Sequence, residues 1–264
     1  MQVTQANGIH IHFREAGNPS GQALVFSNSL GTDFRVWEPI VGHFTATCRI
    51  ILYDKRGHGL SDTPPEPYAM QDHVNDLLGL LDAVGIESAI VCGLSVGGMI
   101  AQALAATEPA QVKALVLACT AHRIGTKTVW DERIDTVRNC GIAGVADAVL
   151  ERWFSADFRA RRAEEFIGWR NMLVRSPVEG YIGTCAAIRD ADLTEAARSI
   201  GAPTLCISAT EDGSTPPDLV QSLSELIPGS RLKSIPGAAH IACVESPDAF
   251  VQTMGTFMNE ANLV

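Results

Sequence analysis

Positive charge is in short supply in this 264-residue sequence: 20 Lys and Arg stand against 30 Asp and Glu, a formal charge of −10 at pH 7. A nucleic-acid partner would want a basic face, so that class is excluded. Also missing is any run approaching the ~18 uninterrupted apolar residues of a membrane span. The first residues, MQVTQANGIHIHFREAG, lack the basic flank and apolar core of a signal peptide. These absences lead to the expectation of a cytoplasmic protein with no membrane partner. No C-x-x-C pair occurs among the seven cysteines, which are odd in number and lie in several cases within apolar runs. That pattern reads as reduced, buried thiols and argues against a disulfide framework or a zinc site. Internal repeats and low-complexity segments are lacking too.

What is present is a large apolar fraction, 46% of residues, enough for one sizeable core or a core carrying an insertion. Short β-branched runs recur: GIHIHF (8–13), ALVFSN (23–28), RIILYD (49–54), AIVCGL (89–94), ALVLAC (114–119), TLCISA (204–209) and RLKSI (231–235). Helical patterns such as MQDHVNDLLGLLDAVG (70–85) and GGMIAQALAATEP (97–109) lie between several of them. The resulting βαβα order predicts an α/β fold with a mostly parallel central sheet flanked by helices. Alternation of His and Ile in the first run predicts a half-exposed edge strand with His10 and His12 facing solvent.

From 121 to 190 the alternation stops and only helical patterns follow: TKTVWDERIDTVRNCG, GVADAVLERWFS, RARRAEEFIGWRNMLVRS and VEGYIGTCAAIRD. This stretch reads as an all-helical cap inserted into a core made of residues 1–120 and 191–264. It holds three of the four tryptophans and eleven Lys or Arg against ten Asp or Glu, so the negative charge sits on the core. Most of these residues read as a solvated helical surface with packed tryptophans; Trp130, Arg133 and Trp153 are candidates for lining a pocket.

The chemistry is carried by Gly93-Leu94-Ser95-Val96-Gly97, a G-x-S-x-G match directly after a buried strand and directly before a helix. There a serine can be held on a tight turn, with glycines where a β-carbon would clash. A purely structural turn is the alternative. A serine hydroxyl needs a histidine to take its proton and a carboxylate to hold that histidine's tautomer. His240, on a loop between the last strand and the last helix, is the candidate base, while His43, His73 and His122 lie in helical or early cap context. Asp212, opening a Gly/Pro-rich loop after 204–209, is the candidate acid, with Glu211 beside it as second choice. Two backbone N–H groups are needed for the developing oxyanion: Val96, at the helix start, and Leu30, in SNSLGTD. The Gly-punctuated turn YDKRGHGLSD (53–62) reads as architecture, with Arg56 and Asp62 placed to orient loops and His58 bonding locally.

Through DKRGHGLSD, GLSVGG, ED and GAAH the chain resembles the α/β-hydrolases, and its order Ser95, Asp212, His240 is theirs. Within that group it resembles the 3-oxoadipate enol-lactonases through SNSLGTD, YDKRGHGLSD, CGLSVGG, TAHRIGTKTVW, LERWFSADF, EGYIGTCAAIRDADL and AAHIACVE, segments of both core and cap. The resemblance implies hydrolysis of a small, anionic, carboxylated enol-lactone in aromatic-compound degradation, with no metal or organic cofactor. It implies Ser95 as nucleophile, Asp212 as orienting acid, His240 as base, and Leu30 and Val96 as oxyanion donors. Arg123 and Arg133 are the candidates for holding the substrate carboxylate. Asn28-Ser29 stands where α/β-hydrolases at large often open the oxyanion loop with His-Gly, and two features depart from the enol-lactonases: Val96 stands where methionine is common, and Arg189 adds a charge. Rival readings are a carboxylesterase, a cofactor-free perhydrolase or a carbon–carbon bond hydrolase on the same scaffold, and a non-catalytic small-molecule receptor.

Overall fold

A computed structural model describes every residue from Met1 to Val264. Its strands are β1 (Gln2–Ala6), β2 (Ile9–Gly17), β3 (Gln22–Ser27), β4 (Cys48–Tyr53), β5 (Ala89–Leu94), β6 (Val112–Ala118), β7 (Thr204–Ala209) and β8 (Arg231–Ile235). They form one sheet in the order β1-β2-β4-β3-β5-β6-β7-β8, antiparallel at β1/β2 and β2/β4 and parallel elsewhere. All six residues of β5 are buried, as a strand covered on both faces requires, and that is why AIVCGL has no alternation. Helix Met70–Ala83 buries Val74, Leu77, Leu80 and Leu81 along one stripe, while helix Val96–Thr107, set deeper, buries nearly every residue.

At one edge the expectation needs correcting. The polar strand β1 pairs outside β2, so GIHIHF is not the edge. His10 faces solvent beside Asp62, but His12 is largely buried, with Nδ1 2.7 Å from Asp54 and its ring stacked on Phe34. At the opposite edge β8 exposes Arg231, Leu232, Lys233 and Ser234, and its two charges discourage pairing with another chain. All seven cysteines are unpaired, and six are buried. No helix is long and apolar enough to cross a membrane.

Between β6 and β7 the chain runs through helices Lys127–Cys140, Ala143–Trp153, Ala156–Arg161, Ala163–Val174, Val178–Asp190 and Thr194–Ser199. RARRAEEFIGWRNMLVRS is therefore two helices, parted at Arg162 (φ −120°, ψ 43°). The Arg162 guanidinium binds Glu165 and the Val244 carbonyl, a tertiary tie that sequence periodicity does not contain. Buried Trp130, Trp153, Leu173 and Tyr181 join these helices to the same apolar core as the sheet.

One seam between helices and core is glycine on glycine. A Cβ on Gly180 would lie 2.2 Å from the Gly57 carbonyl oxygen, so backbone would have to move. Gly180→Ala is expected to cost about 2–3 kcal/mol, a fall in Tm of roughly 5–10 °C, measured by thermal melting.

Candidate active site

Ser95 sits at the tip of the bend between β5 and helix Val96–Thr107 with φ 58° and ψ −120°, a left-handed conformation rare for a residue with a side chain. Such backbone strain costs of order 1–3 kcal/mol and persists only where surroundings hold it. Here Ser95 N–H donates to Ala118 O at 3.0 Å, and Ser95 O accepts from Gly98 N, Met99 N and the Thr120 hydroxyl, the last at 2.6 Å. The flanking glycines are required: a Cβ at Gly93 would lie 2.3 Å from Gly97 O, and one at Gly97 would lie 2.0 Å from Ser27 O. The bend thus packs backbone on backbone, and Ser95 lines a cavity.

Asp212 and His240 are both buried, and His240 Nδ1 lies 2.8 Å from Asp212 Oδ2. That carboxylate also accepts from Thr215 Oγ1 at 2.7 Å, while its Oδ1 accepts from Ser214 N at 2.7 Å and Thr215 N at 3.0 Å. Burial pushes the Asp212 carboxyl up, but His240 beside it and the Thr215 bonds outweigh this and hold it below the usual value. A carboxylate on Nδ1 fixes the proton there and leaves Nε2 as the basic nitrogen. Glu211, exposed, takes no part in this cluster. The His240 loop is stitched to the inserted helices: Ile241 N–H donates to Trp153 O at 3.0 Å, and Ala239 N–H to Glu245, which also accepts from the Ser155 hydroxyl.

Leu30 lies in the loop after β3 and lines the same cavity. Its N–H has no partner within the protein. Val96 N–H belongs to the first turn of its helix, where amides have no intrahelical acceptor.

The cavity, about 190 Å³, is bounded by Ser95, His240 and Leu30 below and by Trp130, Arg133, Arg152, Trp153 and Tyr181 above. Neither Arg133 nor Arg152 has a carboxylate within ion-pair distance. The Arg133 guanidinium lies over the Trp130 ring, 4.8 Å from its centroid. Burial, together with the charge of Arg133, lowers the pKa of Arg152 from its ordinary value. Tyr181 is fully buried and its hydroxyl has no hydrogen-bond partner. Two unpaired cations and an unused hydroxyl converge on one small space, which suits an anion. A larger groove, about 760 Å³, between β2 and helix Ala163–Val174 contains neither Ser95 nor His240. Most of its charges are matched: Arg14 with Glu38, Arg35 with Asp33 and His12 with Asp54.

Comparison with known proteins agrees with this geometry. Residues 22–139 match the family model described as alpha/beta hydrolase fold. The chain is 34% identical to 3-oxoadipate enol-lactonase 2 of Acinetobacter baylyi, over 97% of this chain and 96% of that protein. It is 32% identical to 3-oxoadipate enol-lactonase 1 of the same organism, over 98% and 96%. It belongs to the enol-lactonase family of α/β hydrolases. The crystal structure of the enol-lactonase from Burkholderia xenovorans LB400 superposes with a TM-score of 0.96 at 38% identity, covering 98% of this chain and all of that one.

Within this enol-lactonase frame the sequence-predicted residues divide. Ser95, His240, Leu30, Trp130, Arg133 and Trp153 line one cavity, and Asp212 stands behind His240. Arg123 does not belong with them: it is more than half exposed and faces Asp192 at 3.8 Å, outside the cavity. Arg189, the added charge, bridges Asp131 at 2.8 Å and Asp190 at 2.7 Å, so it joins two helices and leaves the cavity alone. Arg152 and Tyr181 are the residues that sequence reasoning missed. The family-like segments LERWFSADF and EGYIGTCAAIRDADL contain them, but nothing in the sequence says that these two side chains turn inward.

Proposed function

We propose that the protein hydrolyses 3-oxoadipate enol-lactone, or a close carboxylated enol-lactone, through an acyl-enzyme on Ser95. Ser95 Oγ attacks the lactone carbonyl while His240 Nε2 takes its proton, and Asp212 holds the imidazole in the competent tautomer. The N–H groups of Leu30 and Val96 stabilise the oxyanion. Collapse breaks the ring C–O bond; the leaving enolate takes the proton from His240 and becomes the ketone, still tethered through the acyl group. Water, deprotonated by His240, then attacks the ester and releases the diacid with Ser95 restored. In this reading residues 121–190 cap the core, the ligand is the small anionic substrate, and the reaction serves cytoplasmic breakdown of aromatic compounds using side chains and backbone alone.

The observation that carries the substrate assignment is the pair of cavity arginines without carboxylate partners. A neutral ester has no use for two partly buried cations without carboxylate partners, whereas a substrate carboxylate can bond to their guanidinium groups. Hydrogen bonds to charged groups contribute about 1.5–3 kcal/mol each. Arg133→Leu and Arg152→Leu are each expected to raise KM for the lactone roughly 10- to 100-fold. KM for a neutral ester of similar size is expected to stay within about twofold. Steady-state kinetics on both substrates decides it: equal changes on the two would overturn the carboxylate assignment.

A further inference from the structure

Two residues of the turn YDKRGHGLSD are buried polar groups that the mechanism above leaves unused. Lys55 is 1% exposed, and its Nζ donates to Ser29 O at 2.7 Å. His58 is fully buried and accepts the Gly31 N–H on Nε2 at 3.0 Å. Its Nδ1 lies 3.1 Å from Arg56 O, an acceptor, so the proton is on Nδ1 and Nε2 is free to accept. Lys55 and His58 therefore grip the chain on either side of Leu30.

The grip on Ser29 is an electronic matter as well as a mechanical one. Ser29 C=O and Leu30 N–H belong to one peptide group, and across a trans peptide they point in opposite directions. A cation bonded to the oxygen draws electron density from the N–H, and successive hydrogen bonds polarise one another, more strongly in a low-dielectric interior. Thr32 adds two donors to the same oxygen, Oγ1 at 2.9 Å and N at 3.3 Å. The Leu30 N–H on the far side has no protein partner and borders the cavity.

We infer that Lys55 is a positioning residue for the reaction: its ammonium pins and polarises the Ser29–Leu30 peptide, so that the Leu30 N–H becomes a stronger oxyanion donor. His58 fixes the next peptide, completing the clamp. This rests on Leu30 acting as an oxyanion donor in the proposed function. The charges facing Lys55 are consistent with the assignment. Burial lowers its pKa to about 7, while Asp54 and Asp33 work to keep it charged. The neighbouring His58 and His73 are pushed well below their ordinary value, first by burial and then by Lys55, so both are neutral. A purely structural role does not explain a buried ammonium, because an apolar side chain of similar volume removes the desolvation penalty and is often neutral or stabilising.

The test is Lys55→Met, which keeps the stem and removes the charge. Loss of a whole oxyanion donor costs about 10²–10³ in kcat; loss of its polarisation is expected to lower kcat on the lactone about 10- to 100-fold. KM is expected within about twofold of wild type, with Tm unchanged or higher. Affinity for an alkylboronic acid, whose tetrahedral adduct with the serine puts an oxygen in the oxyanion hole, is expected to fall by the same factor as kcat. His58→Leu should give the same pattern, and His58→Gln, whose amide oxygen can accept the Gly31 N–H, should recover part of it. If Lys55→Met does not fold, Lys55→Gln takes its place with the same expected losses. Wild-type-like kcat and boronate affinity in a folded variant would overturn the inference, as would a change in KM alone. Failure of the underlying functional reading is seen separately, in wild-type protein, as absence of Ser95-dependent turnover and of boronate binding.

Discussion

Ser95→Ala is expected to lower kcat on the enol-lactone by about 10⁴- to 10⁶-fold, with KM and Tm hardly changed. The remainder over the uncatalysed rate comes from the oxyanion donors and the bound geometry, which the substitution leaves in place. No other nucleophile can take over. Cys92 lies within the elbow's strand β5 and Cys119 directly follows its neighbour β6, but burial holds both thiols well above their ordinary pKa, so neither supplies a thiolate at neutral pH. The bend should survive the change because it is held by backbone bonds, the Thr120 hydroxyl and the two glycine contacts, none of which uses the Ser95 side chain. Loss of lactone absorbance measures the effect directly. Activity within about tenfold of wild type would remove Ser95 from the mechanism.

Asp212→Asn is expected to cost about 10⁴-fold in kcat, for a different reason. An amide is nearly the same size as a carboxylate, but it can present its NH₂ to His240 Nδ1 and so favour the tautomer with the proton on Nε2, which cannot accept from Ser95. The same carboxylate also contributes to stability through the four hydrogen bonds described above. Its pKa is depressed in the folded protein, so this contribution is complete above the unfolded value of about 3.9 and is lost as pH falls through the folded one. Tm of the wild type should therefore fall more steeply than that of Asp212→Asn as pH drops below about 4. Parallel Tm curves would show that the site holds Asp212 no more favourably than the unfolded chain does.

Much of the scaffold could be read from apolar runs because its central strands are buried on both faces: AIVCGL and TLCISA coincide with β5 and β7. RLKSI coincides with β8, although that strand is an exposed edge. The strand QVTQA escaped notice because it is a polar edge, exposed along most of its length, and an edge needs no alternating apolar pattern. His12, on the same face of β2 as exposed His10, is covered by Asp54 and Phe34 from later in the chain, contacts that the alternation within the strand does not contain. The break at Arg162 was equally hidden: the helical pattern runs through it unbroken, and the Arg162 guanidinium's bond to the Val244 carbonyl, 82 residues away, leaves no trace in periodicity.

The site divides along the same line. The grouping of Ser95, Asp212 and His240 was legible because the strand–turn–helix setting of G-x-S-x-G and the loops after later strands are constraints local in sequence. The pair of cavity arginines was not. Eleven cations lie between 121 and 190, and the direction each faces depends on how helices pack. Arg123 was a candidate and Arg152 was not, and only the fold turns the first outward to Asp192 and the second into the cavity. Lys55 was hidden in another way, since a lysine in a Gly-rich turn ordinarily reads as exposed, and this one is buried against Ser29 O.

The most direct test of the account compares wild-type turnover of the enol-lactone with turnover of the same lactone carrying its carboxylate as a methyl ester. The account predicts saturable hydrolysis of the free acid with kcat/KM in the range of about 10⁴–10⁸ M⁻¹s⁻¹. The methyl ester should be slower by about 10²-fold or more, through KM, because it cannot pair with Arg133 and Arg152. Loss of the free acid no faster than its spontaneous rate, or equal turnover of the two, would contradict it.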